Sequence, residues 1–188
     1  MKFKYSDIIK EPNVLLRKKS LDVELPLNDF DKDIINGMLE YLINSKDQEL
    51  ANKYKLRAGV GLAGVQVGYL KNIIVIDLDV AKDDSIVNYR YCLVNPRLVS
   101  HSILETYISH GEGCLSLEDT VEGYVKRYHK VRVKAYDMLV DKEVEIVASG
   151  LLSVVLQHEL DHLKGVMYYD HINSEDPFKV IDGAIVID

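Results

Sequence analysis

The stretch Gly150-Leu151-Leu152-Ser153-Val154-Val155-Leu156-Gln157-His158-Glu159-Leu160-Asp161-His162-Leu163-Lys164-Gly165 decides how this chain is read. Leu151, Leu152, Val155, Leu156, Leu160 and Leu163 follow the three- and four-residue spacing of a helix that turns one face to a core, and Gly165 stands where a C-terminal cap belongs. Inside that pattern lies His158-Glu159-Leu160-Asp161-His162. Residues four apart share one helix face, so the two imidazoles can grip one metal ion. The plainer alternative is a pair of hydrogen-bonded core histidines, although ionisable groups on a buried helix need a partner or a metal.

A hydrolytic metal site takes a third protein ligand and leaves a position open for water. Downstream candidates are poor. The metzincin pattern would put a histidine where this chain has Tyr168, and the only glutamate after His162 is Glu175, in a polar, Pro-containing segment. Upstream, Glu112-Gly113-Cys114-Leu115-Ser116 sets a cysteine between glycines and a strand-like segment, and a thiolate suits a soft or borderline ion. Cys114 is therefore read as the third ligand. A lone cysteine can equally be a small buried hydrophobe, which is the reading for Cys92 in its apolar run.

The rest of the chain reads as α+β. Asn28-Asp29 can cap a helix whose apolar positions are Phe30, Ile34, Ile35, Met38, Leu39, Leu42 and Ile43. Short, mostly antiparallel strands are expected over 73–78, 89–95, 98–107, 131–135 and 144–148, with a final strand over 183–187. The glycine clusters at 59–68 and 111–113 read as loops. No repeat or linker divides the 188 residues, so one domain spanning 1–188 is expected. A net charge of −7 argues against direct DNA binding, since phosphate contacts need clustered Lys and Arg. Met1 to Lys4 begins like a signal segment, but Asp7, Lys10 and Glu11 interrupt it and no run of about 18 apolar residues follows, so a soluble cytoplasmic protein with reduced cysteines and no membrane contact is expected.

Three segments together, Gly59 to Gln66, Glu112 to Ser116 and Gln157 to His162, resemble the signatures of the peptide deformylase family, and the continuation from Leu163 to Ile172 resembles its type 2 branch, found in Gram-positive bacteria. The resemblance runs from about Ser6 to the end of the chain. It implies hydrolysis of the formyl group from the N-terminal formyl-methionine of nascent polypeptides by one divalent ion on Cys114, His158 and His162. Iron(II) is favoured by the resemblance, with zinc, nickel or cobalt as alternatives. Glu159 would accept the proton of the attacking water and pass it to the departing amine, while the Leu115 N–H and the Gln66 amide would bind the oxyanion. Substrate would lie along Val60, Gly61 and Gly113, with Leu151, Val154, Val155 and Val60 around the methionine side chain. Glu112 and Asp161 are both candidates to orient the imidazoles, and Arg127 resembles an arginine of the family. Expected partners are N-formyl-methionyl nascent peptides and, as a candidate, the ribosome exit region.

One departure stands out. The family's Ala-Ala-Pro-Gln is here Ala63-Gly64-Val65-Gln66, which predicts a less pre-organised loop around Gln66. Two other readings stay open: a metallopeptidase using the same helix, and a deformylase-like fold that binds metal or nascent chains without turnover.

Overall fold

The computed structural model describes residues 2–83 and 85–188, so Met1 of the signal-like opening lies outside the described residues. As its sequence suggests, Asn28 caps α1 (Asp29–Lys46): its side chain accepts the Asp31 N–H at 2.9 Å. The helix buries Ile34, Ile35, Met38, Tyr41 and Leu42. Phe30 and Ile43, expected on that face, are exposed, and Tyr41 takes a core position instead by sending its hydroxyl to the Arg57 carbonyl.

Helix α1 covers one face of a five-stranded antiparallel sheet, and a second long helix, α3 (Leu151–His162), covers the other. The strands are β1 (Gly61–Ala63), β2 (Ile73–Lys82), β3 (Ser85–His101), β6 (Lys130–Asp137) and β7 (Lys142–Ser149), in the order β1-β2-β3-β6-β7. Double coverage explains the unbroken run Ile73-Ile74-Val75-Ile76. Side chains alternate along a strand, so Ile74 and Ile76 pack with α3 while Ile73 and Val75 pack with α1. A smaller sheet joins β5 (Arg127–Tyr128) and β8 (Ile185–Ile187) to the two sides of β4 (Glu105–Ile108).

The structure revises several sequence expectations. The segment 61–63, read as part of a loop, is the edge strand β1; no periodicity marks three residues, and pairing with Ile74 to Ile76 creates it. The strands expected over 89–95 and 98–107 become one long β3, with β4 set apart in the other sheet. Pro96 lacks the N–H that a regular ladder needs, and the pairing with β6 slips there; Asn95 (φ +51°) turns the backbone, and its amide holds Val23 on both N–H and carbonyl. A short helix, α2 (Gln48–Tyr54), was not anticipated, although Asp47 caps it. The last strand is Ile185–Ile187 and runs parallel to β4, against the antiparallel majority.

Cys92 lies fully buried beside α1, and burial pushes its thiol up to about 12, so it is a packing residue. Leu156 is the most enclosed leucine of α3, packed against the sheet. Leu156→Ala is expected to lower the unfolding free energy by about 2–5 kcal/mol, measured by urea denaturation.

Candidate metal centre

Helix α3 starts at Gly150, whose φ of +60° lets the chain turn sharply out of β7, and the helix is directed so that its last two turns run beneath the 110–116 segment. Gly165 (φ +75°) closes it in a left-handed cap, where a Cβ would overlap the Arg17 carbonyl. The same helix therefore has two jobs: Leu152, Leu156, Leu160 and Leu163 pack on the sheet, and His158, Glu159 and His162 point to the opposite segment.

Cys114, His158 and His162 each bring one donor atom to a common point, all within 4.8 Å of one another. Cys114 Sγ lies 3.3 Å from His162 Nε2. On His158 the Nδ1 atom is 2.7 Å from Glu112 Oε2, which leaves Nε2 as the free donor. One thiolate and two imidazoles form a donor set suited to a single borderline divalent ion. Burial works against the charge on Cys114, but the neighbouring imidazoles overcome it and hold the thiol well below its ordinary range, in the thiolate form a metal requires.

The counter-charges come from Arg127 on β5. Its Nε and Nη2 hold both oxygens of Glu112 at 2.8 and 3.0 Å, and its Nη1 holds Asp161. Burial disfavours ionisation of Glu112, yet Arg127 and His158 outweigh it and keep its carboxyl at about 2. The open choice between Glu112 and Asp161 is thereby resolved. Glu112 orients His158, whereas Asp161 grips Arg127 from the far side, and Arg127 acquires the role its sequence position alone did not reveal.

Glu159 is buried, and its Oε2 has no partner among the described residues. Burial pushes its carboxyl up to about 7, against the pull of the two imidazoles. A group that titrates near neutrality can both take and return a proton. Room for it is made by Gly61 on β1: a Cβ there would overlap Oε1 and lie 2.8 Å from the carboxyl carbon.

Gln66 sits in a single 3-10 turn (Gly64–Val67) that follows β1. Its Oε1 accepts the Ala63 N–H at 2.8 Å, and its Nε2 donates to Ser116 Oγ at 3.1 Å with Cys114 Sγ at 3.5 Å. The looseness expected from Gly64-Val65 is met by packing. Val65 is fully buried under α3, and a Cβ on Gly64 would lie 2.7 Å from the Tyr69 carbonyl and 2.9 Å from that of Lys71. Among the described residues nothing accepts the Leu115 N–H.

Gln66, Glu112, Cys114, Leu115, His158 and Glu159 open on one cleft of about 510 Å³, with His162 behind Cys114. Val60, Gly61, Gly113, Leu151, Val154 and Val155, the substrate residues expected from the sequence, line it together with Gln66, Cys114, Leu115, His158 and Glu159. Arg57, Ile108 and His110 also line it; nothing in their local sequence marks them.

Comparison with known proteins gives a consistent result. The family model described as polypeptide deformylase matches residues 5–178. The chain is 44% identical to peptide deformylase 2 of Bacillus subtilis strain 168, over 97% of each chain, and 46% identical to peptide deformylase 2 of Geobacillus stearothermophilus, over 96% of each. The solved structure of a peptide deformylase from Legionella pneumophila is similar at a TM-score of 0.69 and 32% identity, covering 89% of this chain and 86% of that one.

Two variants test the geometry. Gly61→Ala is expected to displace the Glu159 carboxylate and lower stability by about 1–3 kcal/mol, seen as an earlier urea midpoint. Arg127→Leu leaves Glu112 and Asp161 buried without their cation, and a loss of about 3–5 kcal/mol is expected in the same assay.

Proposed function

The chain belongs to the polypeptide deformylase family and removes the N-formyl group from nascent peptides, and from that premise we infer that Cys114, His158 and His162 hold its metal and Glu159 moves the proton. The observation that carries this reading is the meeting of three donor atoms at the floor of one cleft that also holds an unpartnered, buried Glu159 oxygen. When bound, a divalent ion supplies a water acidified to near neutrality and a positive charge for the carbonyl oxygen. Iron(II) is the proposed ion, in line with the resemblance; zinc, nickel and cobalt suit the same donors.

The residues divide the remaining work. Glu159 accepts the proton of the attacking water and returns it to the departing amine, a step that its pKa near 7 suits in both directions. Gln66 Nε2 and the Leu115 N–H would bind the negative charge that develops on the former carbonyl oxygen, and Gln66 is held by Ala63 and Ser116 before substrate arrives. Gly61 and Gly113 give an extended peptide close approach to backbone on either side of the cleft, while Val60, Leu151, Val154 and Val155 surround its methionine side chain. The formyl group is small enough to enter beneath these walls.

N-formyl-methionyl nascent peptides are the proposed substrates, and the ribosome exit region is the place where they would be met. Residues 1–188 are proposed to act as one catalytic domain in the cytoplasm. Among the described residues no helix is long and apolar enough to cross a membrane.

Formate release from a formyl-methionyl peptide, measured anaerobically with iron-loaded protein, tests the assignment. Glu159→Ala at equal metal content is expected to lose about 10²–10⁴ in turnover. Cys114→Ala is expected to lose the metal; retention of stoichiometric metal by that variant would remove the cysteine from the ligand set.

A further inference from the structure

Behind helix α3, on the side away from the peptide cleft, lies a second cavity of about 380 Å³. Lys126, Arg127, Gln157, Asp161 and His171 line it. It is separated from the first by a chain of charged groups. His171 Nε2 is 2.8 Å from Asp161 Oδ2, and Arg127 Nη1 holds the same Oδ2. Arg127 then spans both oxygens of Glu112, and Glu112 Oε2 meets His158 Nδ1 at 2.7 Å. Three side chains, Asp161, Arg127 and Glu112, thus connect the exposed imidazole of His171 in one cavity to His158 in the other.

We propose that His171 is a positioning residue for His158, acting through Asp161, Arg127 and Glu112. The inference rests on the metal site assigned above.

Three features support it. First, the links nearest the metal ligand are buried: the side chains of Arg127 and Glu112 are 3% and 4% exposed, and that of Asp161, at the wall of the second cavity, is 14% exposed, so the inner partners are shielded from water. Second, each link is shared. Asp161 Oδ2 serves both His171 and Arg127, and Glu112 Oε2 serves both Arg127 Nη2 and His158, so a shift at one donor changes the geometry left for the other. Third, His171 is held in place. It ends a 3-10 turn (Tyr168–His171) in which Asp170 accepts the Met167 N–H at 2.8 Å and pairs with Arg17, while Arg17 Nη2 donates to the Tyr169 hydroxyl at 2.7 Å. An imidazole on a turn tied down at three points can transmit position, where a free surface side chain could not.

Cobalt(II) serves as the test probe, because its visible bands report ligand geometry and its near-ultraviolet thiolate band reports Cys114. Wild type, His171→Ala and His171→Gln are loaded with cobalt, and affinity is measured by competition with a chelator alongside thermal unfolding of the metal-free proteins. Glutamine keeps an N–H donor at the reach of Nε2. The expected result is a shifted cobalt spectrum and about 3- to 10-fold weaker cobalt binding for His171→Ala, below the roughly 10–100-fold typical of a group bonded directly to a ligand, with His171→Gln close to wild type. If the alanine variant does not fold, His171→Asn, whose amide stops short of Asp161, takes its place. An alanine or asparagine variant with the wild-type spectrum and affinity overturns the proposal. A wild type that shows no thiolate-to-cobalt band overturns the metal site itself, and the proposal with it.

Discussion

Arg127 is enclosed among Glu112, Asp161 and the end of α3, and its charge makes the rest of the site tenable. Without it Glu112 would lie buried with no cation beside it and Asp161 would keep only His171 as a partner, and an unpaired buried charge costs several kcal/mol. With it Glu112 stays ionised and can fix the His158 ring, so that one nitrogen is committed to hydrogen bonding and the other is left for a metal. The cation sits on a two-residue strand at the edge of the smaller sheet, and its partners come from a loop and a helix that are distant in sequence.

The second constraint is space. Helix α3 approaches β1 so closely that Glu159 has room only because residue 61 has no side chain. The same economy recurs at Gly64, whose neighbours are two backbone carbonyls. A tight fit there compensates for the missing proline: the 3-10 turn is held by buried Val65 and by the hydrogen bonds of Gln66 instead of by a fixed φ. The departure from the family pattern thus leaves the glutamine facing the cysteine.

Much of this was legible beforehand for a physical reason. Helical spacing and the two-residue alternation of strands are local properties, so α1, α3 and most of the large sheet could be read from apolar positions. The H-E-x-x-H pair was legible because helix geometry alone brings residues 158 and 162 together. The elements that were missed lack such a local signature. β1 exists through its pairing with β2, β3 continues past Pro96 through a slip in register, and β8 joins β4 in parallel from 79 residues away.

By itself the sequence determined two helices, a strand-rich middle, the histidine pair with its intervening glutamate, and a cysteine between glycines and a strand-like segment as the candidate third donor. Only the tertiary structure decided that Glu112 and not Asp161 faces His158, that Arg127 joins them, and that Arg57, Ile108 and His110 share the cleft with the residues singled out in advance. The division follows from how each kind of information is encoded. Periodicity is carried by neighbours along the chain, whereas the pairing of a buried charge depends on which remote segments are packed close enough to exclude water from it.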